Sequence, residues 1–443
     1  MPTRLEFKFD LGRATPPRDE GGARRGAMRL LVMGDFSGRP AAERPPLASR
    51  PTQRVDLDNL DDVLRRLAPR LTLPSGELRF EEIEDFHPDA LYSRFGLFDA
   101  LRQARGKPPA APGDLLDSLL GKPAKAAAPA APSTGIDAFI HRIVAPHIVP
   151  DAAAQTQSYT AAVDSAIAEQ MRQLLHDPAF QRLEAAWRGV QWLIFSLELN
   201  EDLQLHLFDV SRDELVADVV AAQGQPARTG LYGALADRWR NAPGGEGWSA
   251  LVGLYRFGTG DADIGLLAAL GLVAAQAGGP LLAEADPTLA GDDNPALVSW
   301  QTLRRSDAAP SIGLAAPRIL LRQPYGKDSD PIAAFGFEEF VGTPAHEEFL
   351  WGNPGLAVAL LIGRAFSARG WQFEPGDERE IGELPAYVVV QDGEKELQAC
   401  AERYLGERGG QALLKAGLMP VLSHRHRNAV TVMRFQSVAE PAT

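Results

Sequence analysis

Apolar residues recur at helical spacing along the stretch from His176 to Gly189. They lie three, four or seven positions apart, so one face of a helix should be buried. The residues of this face are Phe180, Leu183, Trp187 and, two turns further on, Ile194. Asp177 can accept hydrogen bonds from the first turn, and Pro178 suits the first helical position because its missing N–H is not needed there. The pattern predicts a helix that begins at Pro178.

Other segments show the two periodicities of regular secondary structure. Strands are predicted where apolar residues alternate with polar ones or form short runs, at residues 5–11, 30–33, 78–83, 203–208, 251–257 and 387–390. Helices are predicted at residues 63–71, 159–175, 264–277 and 356–366. Ser211 and Glu214 form a capping box that starts a further helix. The sequence therefore predicts a mixed α/β fold, with a small α/β module packed with a larger α/β module.

A change in composition divides the chain. Residues 105–135 are rich in alanine and proline, and the prolines interrupt any helix longer than a few turns. We interpret this segment as a linker between a module at residues 1–104 and a module at residues 136–443.

One short amphipathic helix is predicted inside the linker, at residues 114–120. Its apolar face consists of Leu115, Leu116, Leu119 and Leu120. A helix this short is not stable alone, so it needs an apolar surface to pack on. It is either a docking peptide for a partner or a helix that packs on its own domain.

Composition and charge exclude several classes of protein. The formal net charge of −13 argues against nucleic-acid binding, which needs a dominant basic face. The single cysteine, Cys400, excludes an intrachain disulfide and indicates a reducing compartment. Residues 1–12 lack the continuous apolar run of a signal peptide, and residues 264–277 are too few to span a membrane. We expect a cytoplasmic protein without membrane insertion.

No arrangement typical of an active site occurs in the sequence. His346 and Glu347 begin like a zinc-protease motif, but Leu350 stands where that motif needs its second histidine. His424 and His426 are flanked by arginines and lack a third ligand, which favours a solvated basic turn over a metal site. Neither a phosphate-binding glycine loop nor a nucleophile elbow is present. The sequence predicts no enzyme activity and no catalytic, cofactor or metal site.

The larger module resembles the large subunit of the bacterial type VI secretion contractile sheath. The matching blocks occur in the family's order: residues 176–189 (HDPAFQRLEAAWRG), Trp300 with Leu303-Arg304, Gly313-Leu314 with Pro317-Arg318, residues 320–326 (LLRQPYG), residues 350–353 (LWGN), residues 383–385 (ELP) and residues 435–438 (FQSV). Ordered matches of this kind are specific evidence for the family.

The smaller module resembles the partner subunit of the same sheath. Its matching blocks are residues 5–12, residues 33–38 (MGDFSG), residues 58–63 (DNLDDV), residues 68–71 (APRL) and residues 85–88 (DFHP). The chain is therefore identified as a fusion of a small and a large sheath subunit.

The resemblance implies a mechanical role. Such sheaths are helical polymers around an inner tube, protomers are linked by strand addition, and free energy stored in the extended lattice is released as it shortens. The implied linking strand carries Leu5, Phe7, Phe9 and Leu11. The linker helix resembles the one that an AAA+ unfoldase grips to recycle the sheath. Implied partners are copies of this chain, other sheath subunits, inner tube or baseplate proteins, and the unfoldase.

Two departures from the family pattern concern the ends of the modules. The family's large subunit continues beyond the FQSV block, and its small subunit has a longer helix after Leu101. Both segments belong to the layer nearest the inner tube. We therefore expect either a sheath subunit that assembles with help from full-length partners, or a sheath-derived accessory that caps, decorates or attaches to the assembly without contracting. A hydrolase, a third alternative, rests only on polar loops at residues 324–326 and 351–353.

Overall fold

A computed structural model describes residues 26–74, 76–106, 152–290, 297–342, 348–391 and 394–441. The chain forms two compact units. The first comprises Met1–Pro69, Arg182–Gln323 and Ala345–Thr443, and the second comprises Arg70–Gln181 and Pro324–Pro344.

The strands and helices follow the chain in mixed order. The strands are β1 (Met28–Gly34), β2 (Gln53–Val55), β3 (Arg70–Leu73), β4 (Gly76–Arg79), β5 (Leu203–Asp209), β6 (Ala250–Phe257), β7 (Leu281–Ala285), β8 (Ile312–Ala316), β9 (Ile319–Leu320), β10 (Trp351–Gly352), β11 (Glu380–Ile381), β12 (Val388–Gln391), β13 (Glu394–Leu397), β14 (Met419–Ser423) and β15 (Val430–Val432). The helices are α1 (Leu60–Leu67), α2 (Pro88–Arg94), α3 (Asp99–Gly106), α4 (Ala152–Leu175), α5 (Pro178–Ser196), α6 (Arg212–Ala221), α7 (Gly230–Tyr232), α8 (Asp261–Ala277), α9 (Leu297–Arg304), α10 (Pro354–Arg369) and α11 (Glu407–Lys415).

The first unit is built on a nine-stranded sheet in the order β11-β15-β14-β8-β7-β6-β1-β5-β2. The strands from β14 to β5 run parallel, and β2, β15 and β11 are antiparallel to their neighbours. Parallel strands need helices on both faces, which explains their almost continuous apolar sequences. The predicted mixed α/β fold class is confirmed.

Strand β1 lies inside this sheet although it comes from the amino-terminal part of the chain. Leu30 is in register with Leu205 of β5 on one side and with Ala250 of β6 on the other. The small module therefore shares its central sheet with the larger one. The predicted segment boundaries, at residues 1–104, 105–135 and 136–443, stay predictions.

Helices α8 and α10 are buried as their apolar sequences predict. Leu267 and Leu270 of α8 belong to a core that includes Leu31 of β1. Helix α10 is buried along nearly its whole length. A Cβ on Gly189 of α5 would lie 2.5 Å from a methyl carbon of Leu356, so glycine at this position allows close packing of α5 on α10.

Helix α5 begins as the sequence predicts. Asp177 accepts hydrogen bonds from the N–H groups of Ala179 at 2.8 Å and Phe180 at 3.1 Å. The four apolar residues of its predicted face are all buried: Phe180, Leu183, Trp187 and Ile194. The capping box at the start of α6 is likewise confirmed, with Ser211 and Glu214 each bonded to the other's backbone N–H.

The second unit has an aromatic core and a short β3-β4 hairpin. The rings of Phe80 and Phe86 stack 4.2 Å apart, and Phe86 meets Phe180 edge-on at 5.9 Å. Asp89 accepts hydrogen bonds from the backbone N–H groups of Ala333 and Ala334. These contacts join segments that are far apart in the sequence.

Two predictions about the region from residue 63 to residue 83 are wrong in extent. The helix predicted to reach Leu71 ends at Leu67, because Ala68 has a left-handed φ of 45° and closes the helix. Leu71 lies instead in β3. The strand predicted to reach Ile83 ends at Arg79, and Ile83 begins a 3-10 helix.

A later prediction is also corrected. Residues 387–390 do not form a core strand, because β12 pairs with β13 in a separate two-stranded sheet. His424 and His426 lie beyond β14, because this strand ends at Ser423 and His426 has a left-handed φ of 60°. They lie in a turn, in which His424 Nε2 is 2.7 Å from Thr431 Oγ1.

Candidate functional site

All the predicted partner-binding residues lie outside the described part of the chain. The predicted edge strand has Leu5, Phe7, Phe9 and Leu11, and the predicted linker helix has Leu115, Leu116, Leu119 and Leu120. His346 and Glu347 also lie outside it. The two partner-binding assignments therefore stay predictions, and the site described below was not expected from the sequence.

The site is the junction around the carboxyl end of β1. Strand β1 is held on both sides by backbone hydrogen bonds, from Met28 N to Asp202 O at 2.7 Å and from Ser249 N to Arg29 O at 2.8 Å. At its end, Val210 N donates to Gly34 O at 2.8 Å. The parallel strands β1 and β5 thus end together here, at an edge where polar side chains commonly gather in α/β sheets.

Asp209 holds the turn that follows β1. One carboxylate oxygen accepts hydrogen bonds from the N–H groups of Phe36 at 2.9 Å and Ser37 at 3.0 Å, and the other accepts from the Ser37 hydroxyl at 2.7 Å. Trp187 donates its indole N–H to Phe36 O at 2.9 Å, and the two rings meet edge-on at 5.4 Å. The predicted packing role of Trp187 therefore has a defined partner in this turn.

Two arginines share one carboxylate beneath the turn. Arg44 contacts Glu214 Oε2 at 2.8 Å and Asp35 at 2.5 Å, while Arg50 contacts Glu214 Oε1 at 2.7 Å. Arg50 also donates to the backbone carbonyl of Asp209 at 2.5 Å. Glu214, Arg44 and Arg50 are each less than a tenth exposed. Buried charges of this kind are stable only when they are fully paired.

The pairing sets the protonation of the cluster. Burial alone raises the pKa of Glu214, but hydrogen bonds from Arg50 and the Ser211 backbone, with the charge of Arg44, outweigh it and hold this pKa below its usual value. Burial likewise lowers the pKa of Arg44, and three nearby carboxylates reverse that effect. Glu214 and Arg44 thus each stabilise the charged form of the other, which is typical of a structural junction.

A second polar cluster lies at the ends of β6, β7 and β8. Arg256 contacts Asp286 at 2.9 Å, and Arg318 contacts Glu402 at 2.8 Å. Glu284 lies between them, 3.4 Å from Arg256 and 3.9 Å from Arg318. Three carboxylates therefore share two guanidinium groups. Burial raises the pKa of Glu284 to about 7, although Arg318 and Arg256 oppose the shift.

We expect the Glu284→Gln variant to lose a pH dependence of stability. The pKa of Glu284 rises from 4.5 to about 7 on folding, so the native state binds this proton more tightly and stability falls as pH rises through that window. At pH 8 the variant should be more stable than wild type, by up to about 3 kcal/mol.

Urea unfolding at pH 5, 6, 7 and 8 measures this effect. The matched control is Glu378→Gln, which alters an exposed carboxyl and should keep the wild-type slope. An unchanged slope in Glu284→Gln would show that Glu284 titrates normally.

A third ion-paired group supports α5. Glu184 is fully buried, and its Oε1 accepts from Arg188 Nε at 2.7 Å and from Arg322 Nε at 2.9 Å. Arg188 therefore contacts a carboxylate one turn earlier on the same helix. Arg322 lies in the LLRQPYG block, so two of the sequence blocks meet here.

In all three polar clusters the charged side chains pair with one another, an arrangement that stabilises the fold. Across the described ranges, no three His, Cys, Asp or Glu side chains are placed to hold a metal ion. Within those same ranges no helix is long and apolar enough to cross a membrane. Cys400 is buried, and burial raises the pKa of its thiol to about 11.

The sequence contained a signal for the junction. Asp35 directly follows the end of β1, and Asp209 ends β5, so both acidic residues stand at the carboxyl ends of apolar runs. Parallel pairing would bring those ends together. Arg44 and Arg50 carry no comparable signal, because they lie in a proline-rich stretch without periodicity.

Comparison with protein-family models gives two matches. Residues 157–439 match the model described as "EvpB/VC_A0108, tail sheath N-terminal domain". Residues 26–117 match the model described as "Type VI secretion system, VipA, VC_A0107 or Hcp2". Strand β1 and the two arginines of the junction fall in the second match, and Asp209 and Glu214 fall in the first.

Two curated proteins of Pseudomonas aeruginosa are similar to this chain. The type VI secretion system sheath protein TssC1 is 29% identical over 315 residues, covering 66% of this chain and 63% of that protein. The type VI secretion system sheath protein TssB1 is 29% identical over 85 residues, covering 17% of this chain and 49% of that protein. The chain thus spans less than two thirds of the length of either relative.

Proposed function

Because this chain belongs to the type VI secretion tail-sheath family, with a small-subunit part fused to a large-subunit part, we propose that it is a structural subunit of a sheath assembly. Its proposed partners are copies of itself or other sheath subunits. The role is mechanical and requires no catalytic step. The proposed location is the cytoplasm, as the sequence leads us to expect.

The observation that carries the proposal is the position of β1. This strand comes from the small-subunit part and lies between β5 and β6, which belong to the large-subunit part. The buried pairs of Arg44 and Arg50 with Glu214 join the same two parts. A single chain therefore supplies both sheath components at a fixed ratio, without a separate association step.

We propose that protomers are linked by strand addition. The donor is the predicted strand of residues 5–11, whose apolar face would pack on the neighbouring protomer. Within the described residues, the edge strands β2 and β11 of the large sheet are each paired on one side, which leaves backbone groups for an added strand.

We assign the predicted linker helix to docking of an AAA+ unfoldase. Inner tube and baseplate proteins are further proposed partners of the assembly. Replacing Leu115, Leu116, Leu119 and Leu120 with serine should abolish unfoldase binding, measured by pull-down, without changing the circular dichroism spectrum. Undiminished binding would contradict the assignment.

Electron microscopy tests the sheath role directly. The purified chain should form filaments or rings, either alone or when mixed with full-length small and large sheath subunits. Discrete particles that never join a sheath under either condition would contradict a subunit role and favour a decorating accessory.

A strand variant sharpens this experiment. Replacing Phe7 and Phe9 with aspartate should prevent assembly, because charge on the apolar face opposes packing on a neighbour. The matched control replaces Glu6 and Lys8 with glutamine on the opposite face of the same strand and should still assemble. Equal assembly of both variants would remove residues 5–11 from the linkage.

A further inference from the structure

The hairpin of β12 and β13 is a separate two-stranded sheet. Val388 is in register with Leu397, and Gln391 with Glu394. Among the described residues, neither strand pairs with any other strand. A two-stranded hairpin is marginally stable in water, and a third strand stabilises it. Within the part of the chain that the structure describes, both outer edges of the hairpin therefore leave backbone groups for an added strand.

The residues that flank this hairpin contact other segments of the first unit. Gln323 donates its side-chain N–H to Ala386 O at 2.6 Å, and the ring of Tyr387 contacts that of Phe349 at 5.4 Å. After β13, Leu320 N donates to Cys400 O at 2.9 Å. The residues that flank the hairpin are thus held in place on both sides, which lowers the entropy lost on binding.

The two edges differ in charge. Strand β12 contains three consecutive valines and no charged residue, whereas β13 contains Glu394, Lys395 and Glu396. Charged residues protect an edge strand from pairing, and an uncharged β-branched edge is open to it. Val388 is 47% exposed. Of the two edges, only that of β12 lacks such protection.

The hydrogen-bond pattern identifies which backbone groups point outward. Gln398 N donates to Tyr387 O at 2.8 Å, so these residues form a hydrogen-bonded pair. In an antiparallel ladder such pairs alternate with pairs whose N–H and C=O groups face away from each other. Val388 and Val390 therefore direct their backbone groups to the free edge of β12, and Lys395 directs its own to the free edge of β13.

We propose that the free edge of β12 binds the same edge of β12 in a second copy of this chain. The two β12 strands run antiparallel and are related by a two-fold axis at Val389. The four strands then follow the order β13-β12-β12-β13, with valines in the centre and charged strands outside. Pairing β12 with β13 of the other copy would set charged residues opposite valines and leave one β12 edge open. A two-fold contact closes on itself and needs neither a tube nor a helical lattice, so it does not rest on the sheath role.

Sedimentation velocity of the full chain tests this contact. Wild type should dimerise with rising concentration, and more strongly at higher salt because the net charge of −13 opposes association. Val390→Pro removes an outward N–H and should weaken dimerisation at least about tenfold, since proline cannot donate to an added strand. The matched variant Lys395→Pro removes an outward N–H from the opposite edge and should dimerise like wild type.

Cross-linking provides a second measurement that does not depend on proline. Val389→Cys should form an intermolecular disulfide on mild oxidation, because residues facing each other across the axis lie within disulfide range. Glu396→Cys, its partner across the hairpin, should not. A wild type that stays monomeric, equal weakening by both proline variants, or cross-linking by neither or both cysteines would each overturn the proposal.

Discussion

Replacing Glu214 with alanine is expected to lower the free energy of unfolding by about 3–5 kcal/mol, since removing one partner leaves buried charges unpaired. Arg44 and Arg50 both depend on this carboxylate, at 2.8 and 2.7 Å. Glu214 also completes the capping box of α6. Chemical denaturation followed by circular dichroism measures the change.

The matched control for this variant is Asp213→Ala. Asp213 is exposed, lies in the same first helical turn and carries the same charge. Its replacement should cost less than about 1 kcal/mol, the range of a helix-dipole interaction at the surface. Similar losses in the two variants would mean that the ion pairs at Glu214 contribute little.

Replacing Trp187 with alanine is expected to cost about 3–5 kcal/mol, the range for truncating a buried aromatic side chain. Trp187 is fully buried, and it contacts Phe36 through both its ring and its indole N–H. Because Phe36 follows β1, we expect the loss to loosen the turn of the small-subunit part as well as α5. Denaturation measures the overall loss, and amide hydrogen exchange at residues 34–38 measures the local one.

Trp187→Phe separates the ring from the hydrogen bond. Phenylalanine keeps an aromatic ring at this position but cannot donate to Phe36 O, so its cost should be smaller, about 1–3 kcal/mol. This account would be contradicted if Trp187→Ala lost less stability than Trp187→Phe. It would also be contradicted if hydrogen-exchange protection at residues 34–38 stayed as in wild type.

The Glu214 and Trp187 variants both test the contacts that hold the small-subunit part to the large-subunit part. The small-subunit part and the large-subunit part share one sheet through β1, and the polar contacts of Asp209 and Glu214 fix that arrangement. Catalysis requires groups that remain available for a substrate, whereas these charges are paired with one another. Fixed contacts between the small-subunit part and the large-subunit part agree with the proposed sheath role.

The sequence by itself determined the local structure where its signals were strong. Helix α5 begins at Pro178 because Asp177 caps it, and α6 begins after the predicted capping box at Ser211. The apolar run of α8 predicted a buried helix, which the structure confirms. These features depend on neighbours within one or two turns, so the spacing of residues in the sequence is sufficient to predict them. The ordered blocks also identified the family.

Only the tertiary structure decided which elements meet. Periodicity predicted β1 as a buried strand, but its place between β5 and β6 depends on pairing partners more than 170 residues away. The same holds for Arg50, whose partner Glu214 is separated from it by 164 residues. The run at residues 387–390 predicted a core strand, yet β12 pairs only with β13 among the described residues. Side-chain patterns report that a face is buried, whereas strand order and charge pairing arise from contacts distant in sequence, which local spacing does not encode.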